Sequence, residues 1–149
     1  MGNHVRQQIR ERIGVTLTGL ATTGSRVYQS RVYPIQAAQL PCLLIYTTEE
    51  SSGPVEIGAG TRLIERRARV VVEAVVKAVS NFDDTLDTIA KEVEIAMAGD
   101  VFLNNLVHDC ALTETRIRYI GESDQPVAVA QLIYTVSYFN REDLPDTAV

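Results

Sequence analysis

TRLIERRARVVVEAVVKAV, residues 61–79, alternates apolar and charged side chains in a way only an extended chain can use. Ile64, Ala68, Val70, Val72, Ala74, Val76 and Ala78 fall on one face of such a strand. Glu65, Arg67, Arg69, Glu73 and Lys77 fall on the other. A strand this long belongs at the centre of a sheet. Its alternation predicts that one sheet face meets a core while the other is wet or forms an interface.

Working upstream, Cys42 to Thr48 (CLLIYTT) reads as a short buried strand, approached through Pro34 and Pro41. A weaker alternation over Arg26 to Val32 suggests another short strand. Between Thr48 and the central strand stand Glu49, Glu50, Ser51, Ser52, Gly53, Pro54, Val55, Glu56, Ile57, Gly58, Ala59 and Gly60. Three glycines, a proline and acidic residues without periodicity predict an exposed loop or hairpin tip there. Further upstream, Val5, Ile9, Ile13, Leu17 and Leu20 recur at steps of three and four, the spacing of an amphipathic helix that closes at Gly19 and Gly24.

Downstream, Ser80 followed by Asp83 resembles a capping box, and Asp83, Asp84 and Asp87 suit the positive end of a helix dipole. Phe82, Leu86, Ile89, Ala90, Val93, Ala96 and Met97 form the apolar stripe of this second helix. It should end near Ala98, with Gly99 at positive φ. Two strands follow, about Cys110 to Ile120 and Val127 to Asn140, joined by GESDQP into an antiparallel hairpin. The tail from Arg141 to Val149 reads as loose. The expected architecture is one α+β domain over residues 1–149. Its mixed, mostly antiparallel sheet has four to five strands, and two helices pack on one face.

Composition narrows the function. With 149 residues, 46% apolar and 22% charged, the chain can bury a core without staples. The formal charge of −5 argues against generic attraction to nucleic-acid phosphates. Cys42 and Cys110 sit in apolar runs, as reduced thiols do. No leader-like apolar segment follows Arg6, Arg10 and Arg12, and no run approaches the roughly 18 apolar residues of a membrane span. A soluble protein that stays inside the cell is expected.

Catalytic signatures are sparse. His4 and His108 are the two histidines, and each reads more simply as a surface or capping group than as an acid or base. No C-x-x-C or H-x-x-x-H spacing occurs, so neither a metal nor a cofactor is expected. Gly58 and Gly60 lack the third glycine and following helix of a phosphate-binding loop. Arginine is the informative residue. Of 14 basic residues only Lys77 and Lys91 are lysines, and Arg62, Arg66, Arg67, Arg69, Arg116 and Arg118 cluster on two strands. Arginine desolvates more readily than lysine and pairs in bidentate fashion, which suits protein interfaces. A solvated sheet face laced with ion pairs accounts for the pattern equally well, and a DNA-facing surface is the third reading.

Four phrases of the chain resemble the tail-terminator family of long-tailed bacteriophages, whose members are similar to minor tail protein U. They are RVYPIQAAQLPCLLIYTTEE, RLIERRARVVVEAVV with FDDTLDTIAKEVEIAMAGD, and LTETRIRYIGESDQPVAVAQLIYTVSYF. Thr113, Glu114, Leu132, Tyr134, Val136 and Tyr138 fill the places of the family's closing strands. The resemblance implies a structural protein without an active site. It would act as a ring, six copies by analogy, that caps the tail tube, ends its growth and offers a surface to the head-completion protein. The implied partners are other copies of the chain, the major tail tube protein and the head-completion protein, with DNA at most passing through the lumen and no membrane. The implied location is the host cytoplasm during assembly and then the head-proximal end of the tail in the virion. A ring needs two different patches on each subunit. Arg66, Arg67, Arg69, Arg116 and Arg118 are candidates for them, and Glu49 to Gly60 for a tube-docking loop. Two rivals stand beside this reading: a joining or tail-completion protein of the same neck region, and a small enzyme or ligand-binding domain using Tyr28, Tyr46 or His108.

Overall fold

In the computed structural model the residues described are 2–29, 37–58, 60–121 and 126–149. Helix α1 (Val5–Leu17) precedes the two-residue strand β1 (Val27–Tyr28), and β2 (Cys42–Pro54) and β3 (Leu63–Lys77) follow. Helix α2 (Phe82–Ala98) then leads to β4 (Asp109–Ile120) and β5 (Val127–Arg141). The sheet order is β1-β2-β3-β5-β4, with β1 parallel to β2 and every other pairing antiparallel. This is the α+β architecture that the alternation in residues 61–79 predicts. The expected turn at Glu122 to Gln125, the end of the Arg26 to Val32 strand, Pro34 and Ala59 lie outside the described residues.

Both helices lie on one face. Val5, Ile9, Ile13 and Leu17 of α1 meet Leu43 and Ile45, while Leu86, Ile89, Val93 and Met97 of α2 complete the same core. The sheet supplies Ala68, Val70, Val72, Ala74 and Val76 from β3, and Ala128, Ala130, Leu132, Tyr134, Val136 and Tyr138 from β5. Burying each large aliphatic of this layer contributes roughly 1.5–3 kcal/mol. Helix α1 rests over β1 and β2, and α2 over β3 and β5. The opposite face carries a second, smaller cluster of Cys42, Leu44, Val75, Val127 and Val129 at one end. Burial pushes the Cys42 thiol up to about 11 and the Cys110 thiol up to about 12, so both stay protonated. No described helix is long and apolar enough to cross a membrane.

Four expectations are corrected. The segment Glu49 to Gly60 is not a loop throughout. Strand β2 runs on to Pro54, with Ser51 opposite Arg67 and Pro54 opposite Ile64, because the β3 backbone offers a partner at every step. The described residues 55–58 and 60–62 turn, closed by the Val55 amide donating to the Leu63 carbonyl at 3.0 Å, with Gly58 and Gly60 at φ +124° and +99°. Helix α2 begins from Asn81, with no side-chain cap, in place of a Ser80 capping box. Gly99 is right-handed at φ −79°, and the left-handed turn comes later, at Leu103, Asn104 and Asn105. Burial of the Leu103 side chain in the main core offsets its strained backbone. Finally, the tail beyond Arg141 is tied down. Pro145 accepts from the Val5 amide at 2.9 Å, satisfying a free N–H at the start of α1, and Ala148 bridges to Asn140. The Val149 amide donates to Phe139 at 2.9 Å, and its carbonyl meets His108 Nε2 at 2.8 Å.

Candidate interaction surface

The arginines singled out in the sequence divide between the two faces. On the face away from the helices, Arg67 stands opposite Ser137, and Arg69 opposite Thr135 and Glu49. Arg116 stands opposite Gln131, and Arg118 opposite Val129. A bulge between Leu112 and Glu114 makes this possible. Upstream of it Cys110 and Leu112 pack against the main core, and downstream of it Glu114, Arg116 and Arg118 have changed face.

Ion pairs lace this open face. Arg69 bridges Glu114 at 2.6 Å and Glu49 at 3.3 Å, Arg116 reaches Glu114 at 2.8 Å, and Arg67 reaches Glu65 at 3.2 Å. The Thr113 and Thr135 hydroxyls meet at 3.0 Å across the strands. Arg118 makes no ion pair among the described residues. Nearer the small apolar cluster, Glu73, only 2% exposed, accepts from the Tyr46 hydroxyl at 2.9 Å and from Gln131 Nε2 at 2.7 Å. The face therefore grades from buried apolar, through a satisfied polar trio, to a broad strip of paired charge. Such a strip can meet another protein by exchanging pairs without stranding a charge.

Arg66 belongs to a different construction. It points to the helical side, where its Nε donates to Asn140 at 2.7 Å and its Nη1 to Glu50 at 3.1 Å. Glu50 also accepts from Arg6 of α1 and from the Tyr138 hydroxyl, each at 2.5 Å. Burial would raise the Glu50 carboxyl, but the Tyr138 hydroxyl and the Arg6 and Arg66 guanidiniums together hold it below the ordinary glutamate value. Burial, reinforced by the same carboxylate, pushes the Tyr138 phenol up. Burial, reinforced by the nearby arginines, lowers His4, which accepts from the Arg6 amide at 3.1 Å as the N-cap of α1. Sequence reading missed Glu50, Tyr138 and Asn140 as one cluster with Arg66. A second bulge, between Thr47 and Glu49, turns Glu50 toward the helices, and no local signal announces it.

The hairpin tip projects from the sheet end. Ile57 is fully exposed and Val55 half exposed. Glu56 accepts from the Leu63 amide at 2.7 Å and pairs with Arg141 at 3.1 Å, so the tip is braced where it leaves the sheet. Of the residues of the rival enzymatic reading, Tyr28 and Tyr46 both pack against the small apolar cluster, and His108 stands apart from them. Tyr46 sits beside Glu73 on the open face, whereas His108 packs edge-on against Phe139 near the chain end.

A solved structure described as "Virion of native gene transfer agent (GTA) particle" contains a chain 14% identical to this one, with 90% of each chain covered and a TM-score of 0.43. No curated protein sequence matches. The family model described as "Phage minor tail protein U" matches residues 4–138. The chain therefore belongs to the phage minor tail protein U family, a family of structural proteins of the phage tail.

Proposed function

We propose that this protein is a tail terminator: a ring of copies, six by analogy with the family, that sits on the last ring of the tail tube, ends its polymerisation and presents the surface to which the head is joined. The family match over residues 4–138 carries this reading. It acts through surfaces and performs no chemistry. Its partners are further copies of itself, the tail tube protein and a head-completion protein. DNA at most passes through the lumen, and the particle carries the ring at the head-proximal end of the tail.

Two surfaces serve these contacts. The open-face arginines Arg67, Arg69, Arg116 and Arg118 meet a neighbouring protein by exchanging ion pairs. The tip of the β2–β3 hairpin, with the exposed Ile57 and Val55, docks on the tube. Support for the tip comes from its apolar side chains standing in solvent beyond the end of a braced ladder.

Silencing the gene and imaging the resulting tails by electron microscopy tests the reading. Overlong tubes without heads are the expected result. Tubes of normal length that fail to join heads would overturn termination in favour of a joining role. Normal infectious particles would overturn both. An Ile57→Asp variant should restore normal tail length poorly when supplied in place of the original protein, and full restoration would remove the tip from the docking surface.

A further inference from the structure

The two flanks of the helical layer carry opposite charge. On one flank an open groove runs between α1 and the outer edge of β2, lined by Arg6, Arg10 and Arg66 together with Glu49, Glu50 and Ser52. Strand β1 pairs only with Leu43 and Leu44, so the outer edge of β2 from Ile45 to Pro54 has no strand beside it among the described residues. Arg6 and Arg66 both spend their charge on Glu50, and Glu49 is engaged by Arg69. Arg10 has no ion-pair partner among the described residues. One full positive charge therefore stands in the groove, beside two guanidiniums that share a single carboxylate.

The other flank is acidic. Glu92 defines the side of α2 that faces the α1 end of the molecule, where its carboxylate accepts from the Thr22 amide at 2.9 Å and hydroxyl at 2.6 Å. Asp83, Asp87 and Glu94 lie roughly 60–100° around the helix on the other side of the buried Leu86–Val93 stripe, at about 100° per residue. All three are exposed and none forms an ion pair among the described residues. Phe82 stacks on Tyr119 of β4 at 5.9 Å, which places the first turn of α2 at the β4 border of the sheet, across the molecule from β2. Ile117 and Tyr119 stand exposed beside it. Among the described residues the acidic stripe has no ion-pair partner, and it sits on the flank opposite Arg10.

We propose that copies of this chain join head to tail through these flanks, with Asp83, Asp87 and Glu94 of α2 in one copy seated on the Arg10 groove between α1 and β2 of the next. This inference rests on the ring reading and gives it two specific, different patches, which a closing heterologous contact requires. Charge complementarity selects a second copy as the occupant, because the chain itself supplies both the missing acid and the missing base.

The test is a charge swap in full-length protein supplied to particles whose own copy of the gene is removed. Rings at the tail end are scored by electron microscopy, and Arg10→Cys with Asp87→Cys is used for disulfide trapping. Arg10→Glu and Asp87→Lys should each reduce ring formation at least about tenfold while leaving thermal unfolding unchanged. The double swap should restore it, and the cysteine pair should give covalent multimers up to the ring size. Single variants that cap normally, or a double swap that fails to rescue, would overturn this contact while leaving the ring reading standing if the original protein still forms rings. Original protein that forms no ring on tails would overturn the ring reading itself and this contact with it.

Discussion

Arg66 and Arg67 are neighbours in the chain and opposites in the fold. Arg66 turns toward the helices and joins Glu50, Arg6, Tyr138 and Asn140, a cluster that ties α1 to the sheet. Arg67 turns to the open face and pairs with Glu65, its own near neighbour, while remaining 63% exposed. The pleat separates the two in a single step, and with them two uses of the same side chain. One holds the structure together, and the other leaves a charge available for exchange with a partner. The open face repeats the contrast, since Glu73 is buried and hydrogen-bonded while Glu114, two residues along the ladder and two strands away, is shared by Arg69 and Arg116 near solvent.

The contrast can be broken most sharply at Glu50, whose side chain is 8% exposed. Glu50→Ala leaves two guanidiniums and a phenol facing each other without their anion, and should lower stability by about 3 kcal/mol in chemical denaturation. A loss below about 1 kcal/mol would reduce the cluster to a surface network. Glu73→Ala, which removes the acceptor that Gln131 Nε2 and the Tyr46 hydroxyl share, should cost about 2 kcal/mol by the same measurement.

Acid sharpens the comparison without mutation. The folded-state pKa of Glu50 lies below the ordinary 4.5, so its contribution is complete above pH 4.5 and is lost as the pH falls through the lower folded value. Stability measured against pH should therefore fall more steeply below 4.5 in the original protein than in Glu50→Gln. Equal slopes would show that the carboxylate gains nothing from its neighbours. At the small end of the scale, Arg67→Ala and Arg116→Ala should each leave stability within about 0.5 kcal/mol, since both pairs are exposed. Charge reversal at the same two positions should impair tail assembly. A large stability loss from either alanine would move these arginines into the structural class with Arg66.

Much of the fold was legible because periodicity reports burial directly. The four apolar steps of α1, the stripe of α2 and the alternation of β3 and β5 each name the face that meets the core, and those residues are the buried ones. The extension of β2 was harder to see. EESSGP has the composition of a loop and becomes strand through a backbone ladder that β3 provides from outside the segment. The ordered tail is similar, since its hydrogen bonds reach Val5 and His108, both remote in sequence, as well as Phe139 of β5.

The chain by itself determined the helices, the central strands, the arginine bias and the apolar set that folds them, because these depend on intervals of two and of three to four residues. Which charges share a surface was decided only in three dimensions. Two bulges, at Thr47/Glu49 and Leu112/Glu114, shift the alternation by one residue each. The first carries Glu50 under Arg66, and the second carries Arg116 and Arg118 out beside Arg69. A one-residue insertion reverses every side chain beyond it, and it forms where the pairing strands and their twist demand it, which no local pattern of residues records.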